Sequence, residues 1–336
     1  MTILPTAPDC AKHGDSYLFG RYKEAIHTPN IDAPGLLSRW KLKRWHYQSI
    51  ATPQHFFAFA LVDLGYAAKV FAYLIDRSRP TEKHEYTSLS PLGRGLQFAD
   101  SSVQGQTAWQ DGANRLAVSY QNGWQMTIDL RLGKVRVHGQ VSVQNDEALA
   151  LLFRLPTGHP AYTHKAAGLR VHGSLFVNDT AIDLREAVAS LDWTRSVALR
   201  ETRWLWCSLQ GYRGAVRVGL NLSALVYDDA AGDSQENALW IDGRVYPLGG
   251  VTFSLPDNPR TEPWQIRSKD PHRSEINLVF TPYGTREEQL NLGLVMSRFI
   301  QPYGSYQGTV FSTESGHPPL SVDGLFGVVE THHCLW

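Results

Sequence analysis

The sequence predicts a mainly β protein with few short helices, built as two consecutive antiparallel β-barrel or sandwich units behind an N-terminal arm. Three observations carry this prediction. Short runs rich in Val, Ile, Phe, Tyr and Trp recur along the chain between Gly, Asn and Asp turn signals. The chain has 336 residues, beyond the usual size of a single domain. Its strand phrases also repeat in order. Gly65, Tyr66, Val70 and Leu74 are echoed in register by Gly211, Tyr212, Val216 and Leu220, and Gly173-Ser174-Leu175-Phe176 by Gly308-Thr309-Val310-Phe311. Ordered echoes predict a duplication that makes Gly65 equivalent to Gly211 and Gly173 to Gly308; chance matching among strand-like words is the alternative. Two similar units also point to a ligand site at or near their junction.

Residues 1–35, with Pro5, Pro8, Pro29 and Pro34, read as a polar arm over the surface. The first unit is expected over 36–190 and the second over 191–336. The aromatic and branched run 56–62 reads as a buried strand, broken by Gly65-Tyr66 and resumed at 70–75. Runs 115–120 and 124–130 flank Asn122-Gly123 and read as a hairpin. A second turn at Leu132-Gly133-Lys134 leads into 135–143, where Val alternates with polar residues as in a one-sided strand. One helix is expected, over 183–191. Asp183 and Glu186 have capping-box spacing, and Leu184, Ala187, Val188 and Leu191 recur with helical period. Strands resume at 203–209, 215–225, 238–241, 250–255, 276–280, 292–299, 308–311 and 325–331.

Composition narrows the classes of function. Lys plus Arg equals Asp plus Glu at 32 each, so no electrostatic argument exists for a nucleic acid or an anionic membrane as partner. Cys10, Cys207 and Cys334 are too few, and odd in number, for a disulfide framework. The first residues lack a basic and then apolar leader pattern. The strongest apolar run, 56–75, carries Asp63 and Lys69 and reads as two strands rather than a membrane span. These features set the expectation of a soluble, cytoplasmic protein without integral membrane association, its oligomeric state left open. No phosphate-binding Gly-rich loop, Gly-x-Ser-x-Gly elbow or His-Glu-x-x-His stretch occurs. A small molecule is the expected partner, with no cofactor.

The candidate chemistry lies on strands. Alternation along 326–334 puts Phe326, Val328, Glu330, His332 and Cys334 on one face, which is expected to point into the second barrel. A carboxyl on a largely apolar face is desolvated and its pKa rises, which suits a general acid; an arginine partner would make it structural instead. Glu330 and His332 also stand on one side as two possible metal ligands, but nothing supplies the rest of a coordination shell, so no metal is expected. Asp192 follows the expected helix, where an acid is electrostatically disfavoured, and either pairs with an arginine or uses a raised pKa. Trp193 and Arg195 come next. Trp204, Trp206, Ser208 and Gln210 share a strand face, lining a ligand cavity or filling a barrel core. Glu236 and Asn237 open a strand that ends, after Trp240, in an Asp242-Gly243 turn, and are candidates for a polar contact.

Several of these stretches resemble one family. Tyr162-Thr163-His164-Lys165-Ala166-Ala167-Gly168, Leu191-Asp192-Trp193-Thr194-Arg195, Val218-Gly219-Leu220-Asn221-Leu222-Ser223, the stretch 236–243 and the stretch 327–336, together with Gly65-Tyr66, resemble the domain-of-unknown-function 2804 family over nearly all of the chain after about residue 14. The name carries no activity. That family is in turn more loosely similar to tandem lipocalin-like proteins, including the hydroxyneurosporene synthase (carotenoid hydratase) group and fungal cyclisation enzymes. The resemblance implies two consecutive lipocalin-like (calycin-like) barrels, and it supplies no catalytic residues. The expected function is binding of an apolar, isoprenoid- or polyketide-like molecule, with Asp192 or Glu330 protonating a C=C bond. Trp193, Trp204 and Trp206 would stabilise cationic character. Arg195, Asn221, Glu236, Asn237, Trp240 and His332 complete the expected substrate contacts. A carbohydrate-active protein with the same carboxylates and tryptophans, and a non-catalytic lipid carrier, are the alternatives.

Overall fold

The computed structural model describes residues 4–31, 35, 40–291, 293 and 295–336. The expected starts of the first unit at 36 and of a strand at 292 lie outside these residues. By its internal contacts the chain divides into Pro5–Ala198, and Leu199–Trp336 together with Leu4. Both are all-β, with no α-helix among the described residues. Each is a curled antiparallel sheet of the lipocalin-like kind.

In the first unit, β1 (Lys12–His13), β2 (Ser16–Tyr17) and β3 (Gly20–Tyr22) are short. A meander follows: β4 (Leu42–Ala51), β5 (His55–Asp63), β6 (Ala67–Asp76) and β7 (Lys83–Pro91). Then come β8 (Leu96–Gln97), β9 (Gln106–Asp111), β10 (Asn114–Tyr120), β11 (Gly123–Leu132) and β12 (Val135–Gln144). Last are β13 (Leu149–Arg154), the long β14 (Pro160–Val177), β15 (Thr180–Ala181) and β16 (Val188–Val197). The order is β7-β6-β5-β4-β16-β14-β12-β11-β10-β9-β8, so the last strand made sits between β4 and β14. Both expected turns are present, with Asn122 at φ 55° and Gly133 at φ 61°.

Two expectations for this unit fail. The N-terminal arm is not a surface strap: Ala11, Ile26 and Ile31 are fully buried in the core, and Ile26 donates its backbone N–H to Tyr162 Oη at 2.9 Å. The apolar residues there are too sparse to form a period, so only tertiary packing reveals them. The helix over 183–191 is absent. Asp183 accepts the N–H of Arg185 in a local Asx-type turn, and the chain enters β16 at Val188. β16 pairs along its length with β14 on one side and β4 on the other, and those two ladders outweigh a short helical period.

The second unit repeats the plan. It comprises β17 (Glu201–Arg213), β18 (Val216–Ala224), β19 (Ala238–Ile241), β20 (Arg244–Pro247) and β21 (Val251–Ser254). These are followed by β22 (Trp264–Ser268), β23 (Ser274–Asn291), β24 (Met296–Ser312), β25 (Leu320–Ser321) and β26 (Phe326–Leu335). The order is β20-β19-β18-β17-β26-β24-β23-β22-β21, with β25 on β24 as β15 is on β14. Thus β4–β7 correspond to β17–β20, β14 to β24 and β16 to β26. The expected strands 276–280 and 308–311 are parts of the long β23 and β24, while β20 and β22 lack a clear sequence signal.

The two echoes fare differently. Gly173 on β14 has φ 109° and faces Val141 of β12; Gly308 on β24 has φ 117° and faces Leu278 of β23. These are equivalent positions where a long strand bends. Gly65 sits in the β5–β6 turn, whereas Gly211 lies within β17, the counterpart of β4. The Gly-Tyr echo is therefore a chance match, and the duplication rests on the topology and the second echo.

Candidate functional site

Each unit has a core face and a second buried face. In the first unit Ile50, Leu191 and Trp193 belong to the apolar core, which leaves Trp45, Tyr47, Ser49, Ser190 and Asp192 on the other side of β4 and β16. Asp192 is 9% exposed. Its Oδ2 lies 2.6 Å from Lys165 Nζ. Its Oδ1 accepts Trp45 Nε1 at 3.2 Å and Thr194 Oγ1 at 3.4 Å. The partner is a lysine directly across on β14, not an arginine.

In the second unit Cys207, Leu209 and Val329 are core, so Trp204, Trp206, Ser208, Gln210 and Glu330 occupy the other face. Glu330 is buried with His332 on its side, as expected, but it faces away from the apolar core rather than into it. Alternation finds a buried face; it does not tell which of two buried faces it is. Glu330 Oε1 accepts Trp204 Nε1 at 2.6 Å, and Oε2 accepts Gln301 Nε2 at 2.7 Å. His332 Nδ1 lies 3.9 Å from Oε1, and Nε2 is 2.8 Å from Ser297 Oγ. The His332 ring packs edge-on against Trp204 at 4.3 Å and Phe299 at 5.0 Å.

These two clusters are counterparts. Asp192 pairs across to Tyr47 and Glu330 to Trp206, and in both cases the tryptophan two residues earlier on that neighbouring strand donates its indole N–H to the carboxylate. Lys165 and Gln301 supply the contact from β14 and β24 respectively. A Trp–carboxylate–donor arrangement is thus present in both copies, ionic in the first and neutral-donor in the second.

The family model for "Domain of unknown function (DUF2804)" matches residues 5–336. The chain belongs to the DUF2804 family. No curated protein matches the sequence. Among solved structures, CghA with Sch210972 aligns at TM-score 0.53 and 11% identity, covering 87% of this chain and 88% of that one. An AttH-like protein from Nitrosomonas europaea aligns at TM-score 0.51 and 11% identity, covering 90% and 96%. Kievitone hydratase from Nectria haematococca aligns at TM-score 0.48 and 14% identity, covering 86% and 88%. At these identities the first two establish a shared fold.

The remaining expected site residues of this DUF2804 chain separate into two groups. Trp206 donates to Asn221 Oδ1 at 2.7 Å, and Asn221 Nδ2 to Glu236 O at 2.9 Å, on the same face as Glu330. Trp240 is fully buried on that face, opposite Gly219. Asn237 is structural: it takes the Ser223 N–H at 2.7 Å and gives to Gly249 O at 2.9 Å. The Glu236 carboxylate meets Ser223 Oγ at 3.3 Å. Trp193 is in the first unit's core against Tyr162 and Phe98, on the opposite side of β16 from Asp192. Arg195 is tied to Asp100 Oδ1 at 2.6 Å and Ile31 O at 2.7 Å. Sequence reasoning missed Trp45, Lys165, Ser297 and Gln301. The Trp45 partner of Asp192 lies 147 residues away in sequence, and only the strand order joins them.

Proposed function

We propose that the protein binds a largely apolar small molecule against the Trp-rich face of its second unit and acts on a C=C bond by proton transfer at Glu330 and His332. The observation that carries this reading is the buried Glu330 carboxylate held by Trp204 and Gln301, with His332 beside it and Ser297 on the far imidazole nitrogen. Two N–H donors on its oxygens suit a carboxylate that accepts a proton better than a neutral acid. In a hydration, Glu330 takes a proton from water as the C–O bond forms, and the alkene carbon takes one from His332. The proton on Glu330 then returns to His332 Nδ1, which lies 3.9 Å from Oε1, once a small movement of the ring closes that distance to hydrogen-bond range, and both groups are restored. In a cyclisation an internal alkene replaces water. The faces of Trp204 and Trp206 favour cationic character at the reacting carbon by about 0.5–2 kcal/mol each. Asp192, in its ion pair with Lys165, is a structural counterpart rather than a second acid. CghA, a protein of this fold, has been crystallised with Sch210972, which supports a small organic molecule as the occupant.

Native mass spectrometry with chromatography of the released ligand tests the reading, comparing wild type with Glu330→Gln. The expected result is an apolar molecule in both, the variant holding the unreacted form, which differs by one water or by isomerisation. A released sugar supports the carbohydrate reading, and an identical apolar molecule in both proteins makes this a carrier.

A further inference from the structure

The core face of the first unit holds a polar row that the chemistry above does not use. His46 on β4, Trp193 on β16 and His164 on β14 stand directly across from one another in register, with Leu61 of β5 at one end. Gln48 is two residues from His46 on the same face. All four are at most 3% exposed. Yet both ring nitrogens of His46, both amide atoms of Gln48, Nε2 of His164 and Nε1 of Trp193 have no hydrogen-bond partner among the described residues. Buried polar atoms in native proteins are nearly always paired, so six together in one row are an accounting gap. Burial, with repulsion from His164 in the case of His46, pushes both imidazoles down to about 3, so the row is neutral at physiological pH.

The fold does not demand this polarity. By the strand correspondence, the counterparts of His46, Trp193, His164 and Gln48 are Leu205, Thr331, Ile300 and Cys207, and the registers Leu205↔Thr331↔Ile300 repeat the row. The second copy builds the same place with three of four side chains apolar. The first copy also orients its polar groups. Ser102 Oγ lies 2.8 Å from His164 Nδ1, which fixes the ring and leaves Nε2 as its unpaired nitrogen among the described residues. Aromatic rings surround it: Phe59 at 6.4 Å from His46, Trp124 at 5.8 Å from His164 and Tyr162 at 5.8 Å from Trp193. Arg195, next on this face after Trp193, is already engaged by Asp100 and Ile31.

We infer that His46, Gln48, His164 and Trp193 form a second binding site, inside the first barrel, for the hydroxyl or carbonyl group of a flat, uncharged organic molecule. The indole only donates, while the neutral imidazoles and the amide each donate and accept, which is the complement of a hydroxyl. A charged ligand would find no free counter-charge in this row. The aromatic walls select a ring. This site lies on the opposite side of β4 and β16 from Asp192, and it does not depend on the reaction proposed for Glu330.

Titrating the full-length protein, isotope-labelled at Trp and His, with phenol and with toluene tests the inference. Phenol should shift the Trp193 indole and His164 imidazole signals saturably, and toluene, which carries a methyl in place of the hydroxyl, should bind at least about tenfold more weakly. His46→Phe and Gln48→Leu, each checked for a native melting transition, should weaken phenol by a similar factor. An unmoved Trp193 signal, toluene binding as tightly as phenol, or undiminished phenol binding in a folded variant overturns it.

Discussion

Lys165 and Asp192 form a buried ion pair, and breaking one side of such a pair leaves an uncompensated charge. Lys165→Met is expected to cost about 3–5 kcal/mol in urea denaturation, and Lys165→Met with Asp192→Asn to recover much of it. Glu330→Gln keeps an oxygen for the Trp204 indole, so its cost should stay near about 1 kcal/mol while any turnover disappears. His46 and His164 make a separate pH prediction. Their folded pKa values lie near 3, below the ordinary 6.5, so the unfolded chain binds more protons throughout that interval. Their contribution is intact above pH 6.5 and is lost as pH falls toward about 3, by about 1.4 kcal/mol per pH unit for each histidine. The wild-type urea midpoint should fall more steeply than that of His46→Phe between pH 7 and 4.5, because the variant has one fewer proton to refuse. At this scale the sequence showed the carboxylates but not their partners. Glu330 and its neighbour His332 were legible from alternation; Trp204 lies 126 residues from Glu330 in sequence, and local pattern cannot reach that far.

At the scale of the element, the bends in β14 and β24 depend on missing side chains. A Cβ on Gly173 would stand 2.3 Å from Gln140 O, and one on Gly308 2.0 Å from Asn277 O, both against backbone that cannot yield. Gly173→Ala and Gly308→Ala should each destabilise by at least about 2 kcal/mol, whereas Gly214→Ala, with φ 61° but open space around it, should cost about 1 kcal/mol; melting curves would rank them. The strands β5 and β6 and the hairpins at Asn122 and Gly133 were readable because turn residues and strand composition agree locally. The segment 183–191 was misread because its helical period is confined to four apolar residues, whereas the ladders that claim Val188 onward come from residues 42–51 and 160–177. β20 and β22 escaped notice for the opposite reason: at four and five residues they are too short to show a period.

At the scale of the whole molecule, the duplication makes a comparative prediction. Trp45 and Trp204 hold equivalent indoles against equivalent carboxylates. Trp45→Phe and Trp204→Phe should each lose a hydrogen bond to a charged group, about 1.5–3 kcal/mol, with matched losses in denaturation experiments. A large effect at one position and none at the other would mean that only one copy retains the interaction's role. The two-unit plan was legible from Gly173 and Gly308, though the more conspicuous Gly-Tyr phrase pointed to the wrong pairing. What sequence could not convey is the strand order, in which β16 and β26 enter the middle of their sheets. That order has a consequence for biosynthesis. As the chain leaves the ribosome, β4 and β14 wait unjoined until residue 188 and beyond emerge, and β17 and β24 wait in the same way for residue 326 and beyond. Each half-made sheet presents two bare edges facing a gap of one strand, open to pairing with the wrong chain. Slower translation just before residues 188 and 326 is therefore expected to lengthen the exposure of those edges and lower the folded yield, which soluble expression of codon variants would measure.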